Sequence, residues 1–133
     1  MGTSNLKDHL VDQTQLEKLV KTYDSKNYST INARRIKPDS KEYIFPIELV
    51  EEYLKFVKSE AQKNGYTNLR ICIKMGQYPE NEVLSPIQKP DTKGYQTICF
   101  TAVYDEPTDK NEKSAVGKDE IPGMNFGTIC PPY

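Results

Sequence analysis

Residues 46–75 constrain the fold most. Ile47, Val50, Leu54, Val57 and Ala61 recur at spacings of three and four, the helical period. Leu49, Tyr53 and Phe56 widen that stripe, while Glu48, Glu51, Glu52, Lys55, Lys58 and Lys63 take the other side. A stripe this wide suits a helix lying on a sheet. Pro46 fits the start, where a missing N–H costs nothing, and Asn64-Gly65 supplies a left-handed stop. The chain then turns straight into 69–75, where Leu69, Ile71, Ile73 and Met75 alternate with Arg70, Cys72 and Lys74. That period of two predicts a strand with one buried face. The helix is expected to return over that face, each larger apolar side chain contributing roughly 1.5–3 kcal/mol, offset by lost conformational entropy.

Length and charge narrow the class. A chain of 133 residues predicts one domain, 1–133, with a core that needs no disulfides. A formal net charge of −1 gives no global field to recruit nucleic acid or an anionic membrane. No apolar run reaches the roughly 18 residues of a membrane span. The start carries no charged-then-apolar leader pattern, and Leu6 stands where a myristoylation motif wants Ser or Thr. A cytoplasmic protein is expected. Cys72, Cys99 and Cys130 are an odd count without close spacing, which argues against a disulfide framework. With His9 they could make up a Cys3His zinc set, but the spacing of structural sites is missing. The plainer expectation is three small buried hydrophobes.

The rest of the chain supplies the other elements. Residues 1–13 are expected to be flexible or a short helix, since Leu6 and Leu10 share a face. Thr14 and Glu17 match a capping box, and Leu16, Leu19, Val20 and Tyr23 predict a helix over 15–25. Ile31, Ala33 and Ile36 predict a strand over 28–37, ended by Pro38-Asp39-Ser40 and followed by a second short strand over 41–45 as a hairpin. Residues 76–94 carry Pro79, Pro86 and Pro90 and are expected to be an irregular connection, which at that length is often functional. Residues 95–104 form the best strand, uncharged on both faces and so placed centrally in the sheet. Its expected partner is 69–75, with Cys72 near Cys99. Residues 105–120 are polar and expected to be a mobile loop. The tail from Ile121 to Tyr133 is apolar, and Phe126, Ile129 and Tyr133 are expected to dock it on the body. Pro131-Pro132 favours polyproline II.

Read together, Ile31-Asn-Ala-Arg-Arg-Ile36, Asn64-Gly65-Tyr66, Gly76-Gln-Tyr-Pro79, Tyr95-Gln-Thr-Ile-Cys-Phe100 and Asn125-Phe-Gly-Thr-Ile-Cys-Pro-Pro132 resemble a group of small bacterial proteins that end in a Cys-Pro-Pro segment. The resemblance covers roughly residues 28–133. The group has no assigned activity, so the resemblance implies a fold and no catalytic residues. Its strand often reads Ile-Arg-Ile-Tyr where this chain has Ile71-Cys-Ile-Lys74, so a role for that tyrosine does not carry over.

Three surfaces compete for a function. Arg34, Arg35, Arg70, Tyr78, Glu80 and Tyr95 would form a polar binding surface around the long loop, since loops beside a rigid sheet often carry recognition. The plainer reading of these residues is a solvated face with ordinary ion pairs. A thiol site needs a base in reach, and the single His lies in the weakly patterned N-terminus. Nucleic acid would need many cations on one face, and Arg34-Arg35-Lys37 is a small cluster. Phosphate-loop, dinucleotide and metalloprotease motifs are absent, so no cofactor and no metal is expected. The resulting expectation is an α+β domain. It has two helices on one face of a small, mainly antiparallel sheet, with a docked extended tail. Its expected role is a non-catalytic binding module for a protein or small molecule, able to form a homodimer through a sheet edge. The alternative is a small enzyme with a carboxylate or thiol site near the 76–94 loop.

Overall fold

The computed structural model describes residues 6–107, 115–117 and 121–133. The chain is α+β and divides into two compact units, Met1–Asp39 and Ser40–Tyr133. The stretches 1–5, 108–114 and 118–120 lie outside the described residues, and with them most of the expected mobile loop.

The first unit is helical. Helix α1 spans Leu6–His9 and α2 spans Gln13–Tyr23. The capping box that starts α2 is Asp12 with Gln15, two residues ahead of the expected Thr14 and Glu17. Gln15 N–H donates to Asp12 Oδ1 and Asp12 N–H to Gln15 Oε1, both at 2.8 Å. Asp is as good a cap as Thr, and Gln serves as well as Glu at the third position. A π turn over Asp24–Tyr28 then leads into α3, Ser29–Asn32. The strand expected over 28–37 is therefore not formed. The helical turns run on from α2 instead, with Ser25 Oγ donating to Thr22 O at 3.2 Å and Ser29 Oγ to Ser25 O at 3.1 Å. The exit is tied by Tyr28 Oη donating to Asp39 O at 2.6 Å and Asp39 N–H donating to Asn32 Oδ1 at 2.7 Å.

The second unit holds the sheets. Strand β1, Glu42–Ile44, leads into helix α4, Ile47–Asn64, which ends at Gly65 with φ +72° as expected. Strand β2, Thr67–Gln77, and strand β3, Gln96–Glu106, pair antiparallel, with Ile71 opposite Ala102, Ile73 opposite Phe100 and Met75 opposite Ile98. Strand β4, Ala115–Gly117, pairs with the far end of β3, so the sheet order is β2-β3-β4 and β3 is central. Cys72 faces Thr101 and Cys99 faces Lys74, so the two cysteines are diagonal neighbours on one face. Strand β5, Thr128–Cys130, pairs with β1, Tyr43 against Ile129. The partner of the 41–45 strand is thus the tail rather than 28–37. The tail is docked: Ile129 is 2% exposed, and Met124 exchanges backbone bonds of 2.8 Å with Phe100. The Cys130–Pro131 and Pro131–Pro132 peptides are cis, and the end turns, with Tyr133 N–H donating to Ile129 O at 3.2 Å, where polyproline II was expected.

Two cores result. Tyr53 and Val57 of α4 pack with Ala102, Tyr104 and Ile121, and Tyr66 stacks on Tyr104 with ring centroids 4.1 Å apart. Tyr78, Tyr95 and Ile129 form the second, with Tyr43 and Phe126 against it. Helix α4 therefore lies over β3. The expected cover over the apolar face of β2 is missing: Ile73 is 58% exposed and Met75 67%. The buried stripe of α4 runs through Tyr53, Val57 and Ala61, while Ile47 and Leu54 stand outside it. The Tyr53 hydroxyl donates to Pro122 O at 3.0 Å and lies 3.4 Å from Phe100 O, fastening that side of the helix to β3 and the tail.

Candidate functional site

The feature that stands out is the outer edge of β2. Among the described residues it is the edge strand of its sheet, with no strand paired to its outward N–H and C=O groups. Its first residues are irregular. The register shifts between Thr67 and Arg70, and Asn68 sits at φ +52°. Asp105 pins this bulge, accepting from Asn68 Nδ2 at 3.3 Å and from an Arg70 guanidinium N–H at 3.1 Å. Beyond it, 71–77 run regularly against β3. On the face shared with α4 they present Ile71, Ile73 and Met75, all exposed. Leu54, Val57 and Leu69 continue this apolar row as a shallow groove of about 100 Å3 beside Ile71, rimmed by Lys58 and Arg70.

A second cleft lies between the long loop and the tail. Its volume is about 70 Å3, with Tyr78, Phe126 and Ile129 at its base and Lys89, Thr92 and Tyr133 around it. The loop is held by its own side chains. Leu84 N–H donates to Gln88 Oε1 at 2.9 Å, Gln88 Nε2 to Thr92 Oγ1 at 3.2 Å, and Thr92 Oγ1 to Lys89 O at 2.6 Å. Lys89 Nζ sits 3.7 Å from the Tyr133 ring centroid, and the Tyr133 hydroxyl donates to Asp91. The tail and loop thereby close on each other, which leaves a cavity the size of a few water molecules.

The residues expected from the sequence to form one polar surface are distributed. Tyr78 and Tyr95 do come together, but as core: both are buried, and Tyr78 N–H donates to Tyr95 O at 2.9 Å. Thr97 Oγ1 donates to Asn125 Oδ1 at 3.0 Å and lies 3.2 Å from Tyr78 Oη. Glu80 lays its stem against Gly94. Arg70 lies eight positions before Tyr78, about 26 Å away along an extended strand. Arg34 and Arg35 belong to the Met1–Asp39 unit, where Arg35 Nε donates to Lys37 O at 3.1 Å and its guanidinium lies 3.9 Å from Asp39. Among the described residues no three of His, Cys, Asp and Glu gather as metal ligands.

Sequence reasoning passed over Ile71, Ile73 and Met75 as site residues because alternation predicts burial as readily as recognition. One signal was present in the chain: Tyr53, a polar-tipped aromatic beside the apolar stripe, is free to turn α4 away from β2. No protein-family model, no curated protein and no solved structure matches this chain. No helix among the described residues is long and apolar enough to cross a membrane.

Proposed function

We propose that the protein is a non-catalytic interaction module that takes an extended segment of a protein partner along the outer edge of β2. One observation carries this reading. A regular edge strand leaves Ile71, Ile73 and Met75 exposed on the same side as the apolar groove at Leu54 and Leu69. An added strand gains backbone hydrogen bonds from the edge and specificity from alternate side chains that meet this apolar row. The partner chemistry that fits is a strand with apolar residues at every second position. Three free thiols accord with a reducing, cytoplasmic setting.

Titrating a synthetic peptide of alternating isoleucine and threonine with lysine ends into isotope-labelled protein tests this reading. Amide shifts confined to 69–77 are expected, with binding weakened at least tenfold by Ile73→Asp. Shifts centred on 84–92 and the tail would move the site to the second cleft and overturn it.

A further inference from the structure

We infer that the strand taken by β2 is the β2 of a second copy, in an antiparallel two-fold pairing centred on Ile73. This rests on the edge reading above and adds the partner and the register.

Antiparallel pairing of two identical edges around a two-fold axis places some residue opposite itself, and each choice can be tested against the charges. Centring on Lys74 sets two ammonium groups face to face. Centring on Cys72 sets Arg70 against the partner's Lys74. Centring on Ile71 draws the bulged, left-handed Asn68 into the ladder opposite the partner's Lys74. Centring on Ile73 avoids all of these. Ile73 meets Ile73, Ile71 meets Met75, Leu69 meets Gln77, Cys72 meets Lys74 and Arg70 meets Gly76, so no like charges stand directly opposite. The Arg70 guanidinium keeps its own Asp105 at 3.1 Å. Centring on Met75 also avoids like charges but pairs only 73–77, whereas the Ile73 register spans 69–77, covering the whole regular stretch 70–77 with Leu69 at the edge of the bulge.

The product would be a continuous six-stranded sheet, β4-β3-β2 meeting β2-β3-β4. On one face the four exposed side chains Ile71 and Met75 of each copy would flank the Ile73 pair, with the two α4 helices to either side. A net charge of −1 per chain adds almost no long-range repulsion between copies. Two short strand edges make a small interface, so the dimer is expected to dissociate on dilution.

Sedimentation velocity of the full chain over a hundredfold range of concentration tests the association. A concentration-dependent dimer is expected, at least tenfold weaker in Ile73→Asp, which sets two carboxylates at the axis on an exposed side chain. Circular dichroism of that variant should match the parent. The register is read by cross-linking with copper phenanthroline in a background of Cys72→Ser, Cys99→Ser and Cys130→Ser. Ile73→Cys should give a covalent dimer several-fold faster than Ile71→Cys or Met75→Cys alone. Fastest cross-linking at 71 or 75 overturns the register, and a dimer indifferent to Ile73→Asp overturns the edge as its seat. A chain monomeric throughout that still binds the alternating peptide at 69–77 overturns the second copy and leaves the edge reading standing. A monomer that binds no such peptide removes both.

Discussion

Tyr53 joins three parts of this structure. Its ring sits in the first core while its hydroxyl reaches Pro122 O at 3.0 Å, joining α4, β3 and the tail. Burial raises the pKa of that hydroxyl above the usual tyrosine value. The unfolded chain then ionises first as pH climbs, so the stability held below the ordinary tyrosine pKa is lost progressively from there up through the raised native pKa. Replacing Tyr53 with Phe should lower stability at neutral pH by about 1 kcal/mol and flatten the alkaline decline. Urea unfolding at several pH values would measure both. An unchanged alkaline slope in the variant would assign the decline to other groups. Gly65 is the second residue with a defined burden. At φ +72° a Cβ is strained, and it would lie 3.3 Å from Pro107 Cγ. Gly65→Ala should cost about 1 kcal/mol, visible as a lower midpoint with an unchanged urea slope.

At the level of elements, the tail behaves as part of the body. Strand β5 is only three residues long, yet it buries Ile129 against Tyr78 and Tyr95 and gives β1 its only partner strand among the described residues. Gly127 permits this approach. A Cβ there would lie 2.7 Å from Ile44 O and 2.8 Å from the Phe45 ring, closer than real contacts allow. Gly127→Val should therefore separate β5 from β1 and lower the thermal midpoint, with a loss of roughly 2–3 kcal/mol as for other overpacked sites. Faster amide exchange at 128–130 and 42–44, with 98–103 little changed, would locate the effect. A variant as stable as the parent would show that the tail docks without this close approach. Ending the chain at Gly123 should do more, because it also removes the Met124 bridge to Phe100.

For the whole molecule, both cores and both sheets lie within Ser40–Tyr133. A chain beginning at Ser40 is expected to unfold in one cooperative transition by scanning calorimetry. A broad or absent transition would mean that Ser40–Tyr133 does not fold by itself. The helical unit carries Leu16, Leu19 and Val20 on one side of α2, all exposed. These residues are legible in the sequence as an amphipathic face, but the same spacing would appear whatever that face meets.

The sequence by itself determined the local grammar. Pro46, the apolar spacing from Ile47 to Ala61 and Asn64-Gly65 dictate a helix and its end, because capping, period and the freedom of glycine act over a few residues. The alternation in 69–75 and the uncharged run of 95–104 dictate two strands. The reach of such signals ends where elements compete. Ser29, Thr30 and Ile31 read as strand and fold as helix, because the turns that continue from α2 override a local β preference. The 41–45 strand has no marker for its partner, because nothing in Glu42–Ile44 distinguishes a nearby hairpin from a tail more than eighty residues away. Only tertiary packing decided that α4 lies over β3. The buried side of α4 is the one carrying Tyr53, Val57 and Ala61, and Ile71, Ile73 and Met75 stay uncovered. The same hydrophobic alternation is thus compatible with a covered face or an exposed one, and the choice rests with where the neighbouring elements pack.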